Sequence, residues 1–445
     1  MQTMAAAAAD LAAGRTSARQ LVEEALGRIA EPGGEGARAF IRVHAESARL
    51  MADAMDALRR GGRAPGPYAG LPVAIKDLCD IEGEPTPAGS IVLADAPPAT
   101  EHAPVLKRML GAGLVPVGRT NMTEFAFSGL GINPHYGTPA SPWDRASRRI
   151  PGGSSSGTAV AVADGMSFAG LGTDTGGSCR VPAAYCGVVG FKPTARRVPI
   201  EGILPLAPSL DSVGPLARSV ACCAAVDAIM AGEPLPVLRA ADVSRLHLAV
   251  PTKLVLDDMD ATVAATFERA CSRLAANGAR ISRIAFPAFT AAVEANKVGL
   301  ARMEAAAWHR SLLERLGDRY DPRVRARLEQ GGQLLSADYI NLLDTRRRLI
   351  AEANAASADY DALLLPTCPI VPPPIAQLDD ADEYTRVNLL SLRNTTLGNF
   401  LDRCAISLPC HRAGEAPVGL MLMGQTMDDA KLFAVAAGVE AALAA

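Results

Sequence analysis

Two serines in this chain each follow a pair of glycines: Ser154 after Gly152-Gly153, and Ser178 after Thr175-Gly176-Gly177. Paired glycines allow tight turns in which several backbone N–H groups point the same way, the arrangement that stabilises an oxyanion. A third group lies upstream, where the apolar run Leu71–Ile75 ends in Lys76-Asp77 and places one cation at the end of a buried strand. Only six of the 44 basic side chains are lysines. Burial disfavours the ammonium form, and only the neutral amine can accept a proton. Cleavage of an amide needs a nucleophile, a base that returns its proton to the leaving nitrogen, and donors for the oxyanion. Ser178 fits the first role, Lys76 the second, and the N–H groups of residues 175–178 the third, with Ser154 between them as a proton relay. Taken singly, a strand-end lysine is a snorkelling surface residue and a Gly-Ser turn is ordinary turn chemistry. The combination is what points to a hydrolase with an amine as base.

The elements around these residues read as an α/β sheet protein. Thr16-Ser17 caps a helix running to about Ile29, and residues 45–60 form a second helix before the Lys76 strand. A short helix at 103–111, a strand beginning at Leu114 and the small-residue stretch 157–169 continue the alternation. The last of these starts at the Ser154 turn, where its dipole favours negative charge. From about 240 to 360 the pattern turns to longer amphipathic helices, including 261–277 and 298–316, with arginine-rich faces; this is expected to be helical cover. Strands return at 361–367 and 404–410, and a helix runs from Asp428 to the end. One sheet, closed late by its C-terminal strands, is expected within a single domain spanning 1–445.

Composition narrows the function classes. With 49% apolar and 20% charged residues, 445 residues can bury a large core. A net charge of −3 argues against nucleic acid or anionic lipid as a partner. The opening residues lack the pattern of a signal peptide, and no apolar run approaches the roughly 18 residues of a membrane span, so a cytoplasmic location is expected. The nine cysteines show no zinc spacing and no disulfide density, and free buried thiols are expected, Cys222-Cys223 in a helix among them. None of the six histidines lies in the glycine-rich turns, which leaves a Ser-His-Asp triad without positive support. Cys179, next to Ser178, is expected to face inward. The turn PGGSSSG lacks the Gly-Lys-Ser/Thr ending of a phosphate loop.

The segments LPVAIKD, PGGSSSGTAVAVADG and GTDTGGSCRVPAAYCGVVGFKPT, with YDALLLPT and PVGLMLMG later, resemble the amidase signature family. The resemblance implies a large twisted mixed sheet covered by helices on both faces, and amide hydrolysis through a Ser-cisSer-Lys triad and an acyl-enzyme. It carries the lysine onto Lys76, the cis-peptide serine onto Ser154 and the nucleophile onto Ser178. It further implies an oxyanion loop at Thr175, Gly176 and Gly177, and steadying hydroxyls at Ser156 and Thr173. Cys179 stands where the family usually has a branched aliphatic residue. Asp174 and Arg180 flank Ser178, where they could bind substrate, but a buried ion pair that holds the turn is the role expected of them, and Lys192 is expected to be structural. The loop from Asn121 to Pro151 is where the family lines its pocket, which puts Phe127, Ser128, Gly129 and Tyr136 forward as substrate contacts; Phe125 and Trp143 share the loop, core packing explains any one of these four aromatics equally well, and His135 is a further pocket candidate. No metal or cofactor is expected. The expected partner is a small amide, and a homo-oligomer is left open. The alternative within the same resemblance is the glutaminase component of a tRNA-dependent amidotransferase.

Overall fold

The computed structural model describes residues 2–444. Its strands are β1 Phe40–Val43, β2 Pro72–Lys76, β3 Val115–Thr120, β4 Ala169–Asp174, β5 Val189–Lys192, β6 Ser212–Ala217, β7 His247–Pro251, β8 Arg280–Ile284, β9 Ala362–Pro366, β10 Ala405–Pro409 and β11 Gly419–Met423. They form one sheet in the order β1-β3-β2-β4-β6-β5-β10-β11-β9-β7-β8. It is mixed: β3, β2 and β4 run parallel, as do β9, β7 and β8, while the strands between them pair antiparallel.

Period-two alternation explains why these strands read as unbroken apolar runs. Val73 and Ile75 of β2 pack on one face with helix Pro104–Gly111, while Ala74 packs on the other with helices Ala18–Ile29 and Ser156–Ala163. Likewise Leu364, Leu420 and Leu422 lie on one face, and Leu363, Leu365, Met421 and Met423 on the other. Both faces are covered, so both side-chain sets must be apolar.

Most helices fall where the sequence places them. The first long one spans Ala18–Ile29, with Ser17 and Gln20 forming a reciprocal capping box. Others span Ala45–Arg60, Pro104–Gly111, Ala261–Ala276, Leu300–Leu316 and Asp429–Ala444. The expected helical cover at 240–360 needs correction, because β7 and β8 lie inside it. β8 reads Arg280-Ile-Ser-Arg-Ile284, an edge strand that is half exposed, and its charged residues conceal its extended form. The C-terminal strands β10, β11 and β9 close the sheet from its middle, joining β5 to β7.

Candidate active site

The parallel pair β2 and β4 ends at one edge of the sheet. Ile75 pairs with Leu171, so Lys76, one residue further along β2, and Thr173, two further along β4, reach the same end of the sheet. Ligands in α/β sheets gather at such carboxyl ends. Lys76 is fully buried, and its Nζ lies 2.8 Å from Ser154 Oγ and 2.7 Å from Thr173 Oγ1. Neither partner is a carboxylate. Burial pushes its pKa down to about 7, against opposing pulls from Cys179, Asp174 and Asp211.

Ser154 follows a cis peptide bond from Gly153. Gly153 is packed so tightly that a Cβ there would lie 2.5 Å from Gly131 N and 2.7 Å from Thr123 Oγ1. The turn leads into helix Ser156–Ala163, built of small residues that pack closely against β4.

Ser178 sits on the loop after β4 and is 4% exposed. This loop is held from several sides. Asp174 accepts from Arg180 at 3.0 and 2.9 Å, from Asn399 Nδ2 at 2.8 Å and from Cys179 N at 3.1 Å. Burial alone would raise the Asp174 pKa, but the Arg180 guanidinium overrides it and holds the carboxyl at about 2. Thr175 Oγ1 donates to Asp211 at 2.5 Å, and Thr395 Oγ1 donates to Gly176 O at 2.7 Å. Gly177 has φ +142°, and a Cβ there would lie 2.2 Å from Thr395 Oγ1, so the bend requires glycine. Among the described residues, the amide N–H groups of Thr175, Gly176, Gly177 and Ser178 donate to no protein acceptor. Four free donors on one bend beside an unpartnered serine hydroxyl are the groups an oxyanion would need.

Thr175, Gly176 and Ser178 open onto a cavity of about 510 Å³, whose apolar wall includes Phe127, Leu206, Leu392 and Phe400. Ser128 also lines it; its hydroxyl donates to Asn388 Oδ1 at 2.9 Å and accepts from Tyr384 at 2.8 Å.

Not every expected residue reaches the site. Gly129 lies behind the wall, its N–H donating to Asn388 Oδ1 and its carbonyl accepting from Gly153 N. Tyr136 is not among the residues lining the cavity; Asn133 Oδ1 gathers the N–H groups of His135 and Tyr136 into a turn. His135 pairs with the buried Glu124 at 2.7 Å, Phe125 packs on His309 in the core, and Trp143 lies under Arg149. Ser156 does not join the lysine's network: it begins the helix, and its hydroxyl reaches Asn121 O at 3.4 Å. Its neighbour Ser155 links the two loops instead, donating its N–H to Ser178 O at 3.3 Å and its hydroxyl to Thr173 O at 3.4 Å. Cys179 is buried, bonds inward to Gly214 O and has its thiol pKa raised by burial, which removes it as a nucleophile. Lys192 donates to Pro193 O at 2.6 Å. Thr395, Asn399 and Asn388 leave no mark in the sequence, since they come from short helices remote in the chain and carry no local motif.

A sequence profile of the amidase family matches residues 20–433. The chain belongs to the amidase family. A 2-amino-5-chloromuconic acid deaminase of Comamonas testosteroni is 40% identical to it, over 88% of this chain and 86% of that protein. A glutamyl-tRNA(Gln) amidotransferase subunit from Chloroflexus aggregans is 36% identical over 97% of this chain and 94% of that one. Among solved structures, an amidase superposes with a TM-score of 0.89 at 34% identity, covering 99% of both chains. The amidase is a hydrolase of carbon–nitrogen bonds with a mixed α/β fold shared with these relatives. Among the described residues, no helix is long and apolar enough to cross a membrane.

Proposed function

We propose that this amidase cleaves small-molecule amides through a covalent acyl-enzyme on Ser178, with Ser154 and Lys76 as its proton path. The observation that carries this reading is the environment of Lys76: a fully buried amine held by two hydroxyls, with its pKa at about 7. At neutral pH a large share of it is the free amine, and its proton partner is a serine beside the oxyanion loop.

In the first half-reaction Ser178 Oγ bonds to the amide carbon. Its proton passes to Ser154 Oγ, and Ser154's own proton passes to Lys76 Nζ. Among the described residues the Ser178 hydroxyl has no hydrogen-bond partner, which leaves it free to turn toward Ser154; such contacts often close only with substrate bound. The developing oxyanion takes N–H donors from residues 175–178. The proton then returns along the same path to the amide nitrogen, the C–N bond breaks, and ammonia or an amine departs. Water repeats the sequence on the Ser178 ester, giving the carboxylic acid and restoring the serine. Every proton taken is given back, and the steps call on no group beyond these side chains and N–H donors.

All nine cysteines are free thiols, which favours a reducing, cytoplasmic setting. The similarity to an amidotransferase component supports one second reading, a glutaminase that works with partner chains. Release of ammonia and amine from a panel of primary amides, anilides, ureido compounds and glutamine, with Ser178→Ala as control, tests both. Turnover of small amides by the wild type alone supports the free hydrolase. Turnover of glutamine only, or none without partners, supports the glutaminase.

A further inference from the structure

The cavity in front of Ser178 carries two guanidiniums and no carboxylate among its lining residues. Arg302 comes from helix Leu300–Leu316 and Arg327 from helix Pro322–Gly331, both half-buried. Among the described residues, neither pairs with an acidic side chain. Arg302 donates to Gln330 Oε1 at 3.4 Å and to Lys297 O at 3.2 Å, while Arg327 donates to Phe127 O and lies against the Tyr384 ring. These contacts fix both groups in place yet leave most of their N–H donors unengaged. Arg302 also borders the adjoining cavity of about 870 Å³, whose other basic side chains are arranged differently. There Lys297 pairs with Glu294 at 2.7 Å, Arg386 with Glu383 at 2.8 Å and Arg393 with Asp258 at 3.8 Å. Among the described residues, Arg302 and Arg327 are thus the basic side chains of these two cavities that lack an acidic partner.

The backbone accommodates one of them specifically. Gly299 has φ +91°, and a Cβ there would lie 2.5 Å from Arg302 Nε and 2.7 Å from Nη2. The guanidinium therefore lies over a bare glycine at the cavity wall. The lining also carries the apolar side chains of Phe127, Leu206, Leu392 and Phe400.

We infer that the substrate is a small amide bearing a carboxylate: the amide sits at Ser178, a short apolar chain lies along the leucine and phenylalanine wall, and the carboxylate is held between Arg302 and Arg327. This rests on Ser178 as the reacting centre and adds the class of molecule placed before it. A guanidinium is matched to a carboxylate by its planar fork, and charge-assisted hydrogen bonds in a partly dry cavity are the strong ones.

Calorimetric titration of the Ser178→Ala protein with glutaramate and with pentanamide tests it, since the two differ only in a terminal carboxylate or methyl. The expected result is at least about tenfold tighter binding of glutaramate, with the ratio reduced about tenfold by Arg302→Gln or Arg327→Gln and lowered by added salt. The two arginines lie on different helices, so failure of one variant to fold leaves the other as the test; an unchanged thermal midpoint shows which variant to use. Equal binding, tighter binding of pentanamide, binding of neither, or a ratio indifferent to both substitutions overturns the inference. Labelling of wild-type Ser178 by a fluorophosphonate is scored in parallel. Absence of label defeats the hydrolytic reading itself, whereas label together with equal binding defeats the carboxylate alone.

Discussion

The loop Asp174–Ser178 and the helices Leu300–Leu316 and Pro322–Gly331 line one cavity and are built by opposite means. Asp174 and Arg180 are fully buried, and the loop is fixed by Asn399, Asp211 and Thr395 through side-chain hydrogen bonds. Arg302 and Arg327 are half exposed and held by backbone carbonyls and a glutamine. A reacting centre tolerates little displacement, since a misplacement of about 1 Å can cost about a hundredfold in rate. A charged subsite at a cavity rim can change without disturbing that geometry. The proposed chemistry thus rests on a buried network, and the proposed choice of substrate on two partly exposed helices.

Substitutions can break this division, beginning with the buried side. Ser178→Ala is expected to lower kcat/KM by about 10⁴-fold or more, measured as ammonia release, because no other group forms the ester. Lys76→Met is expected to lower it by about 10³-fold, the range of a general base. Wild-type activity should rise with pH through about 7, because deprotonation of Lys76 creates the base, and that rise should vanish in the residual activity of the methionine variant.

Asp174→Asn is expected to lower unfolding stability in urea by about 3 kcal/mol, since it leaves the buried Arg180 charge uncompensated. The Asp174 carboxyl titrates at about 2 in the fold, below its unfolded value, so its stabilising share is present at neutral pH and lost as pH falls toward about 2. Thr395→Val should be the mildest, a loss of about threefold to tenfold in kcat with KM nearly unchanged, because it removes only one anchor of Gly176. A rise in KM instead would place Thr395 with the subsite helices and blur the comparison.

The buried side is legible in the sequence and the rim is not, for a physical reason. Strands covered on both faces show as continuous apolar runs, which is why β2, β9 and β10 can be read directly. Glycines forced by close approach, such as Gly153 and Gly177, mark their turns wherever they occur. Ser156 is misplaced by the sequence because adjacent serines in one turn look alike until the helix start fixes which hydroxyl faces β4; Ser155 has that place. Tyr136 sits in the expected loop but does not line the cavity, and the Asn133 turn that holds its backbone leaves no signal in composition. Arg302 and Arg327 belong to arginine-rich amphipathic helices, and nothing in such a pattern separates a solvated arginine from one facing a cavity. β8 is concealed likewise by charged residues on an exposed edge.

The central claim is that Ser178 is the nucleophile and Lys76 its base. The most direct test is peptide mass mapping of the fluorophosphonate-labelled protein, with the labelling rate followed from about pH 5 to about pH 9, either side of the Lys76 titration. The account predicts a single adduct on Ser178 that forms faster as pH rises through about 7. An adduct on Ser154 or Cys179, or a Ser178 rate indifferent to pH and to Lys76→Met, would contradict it.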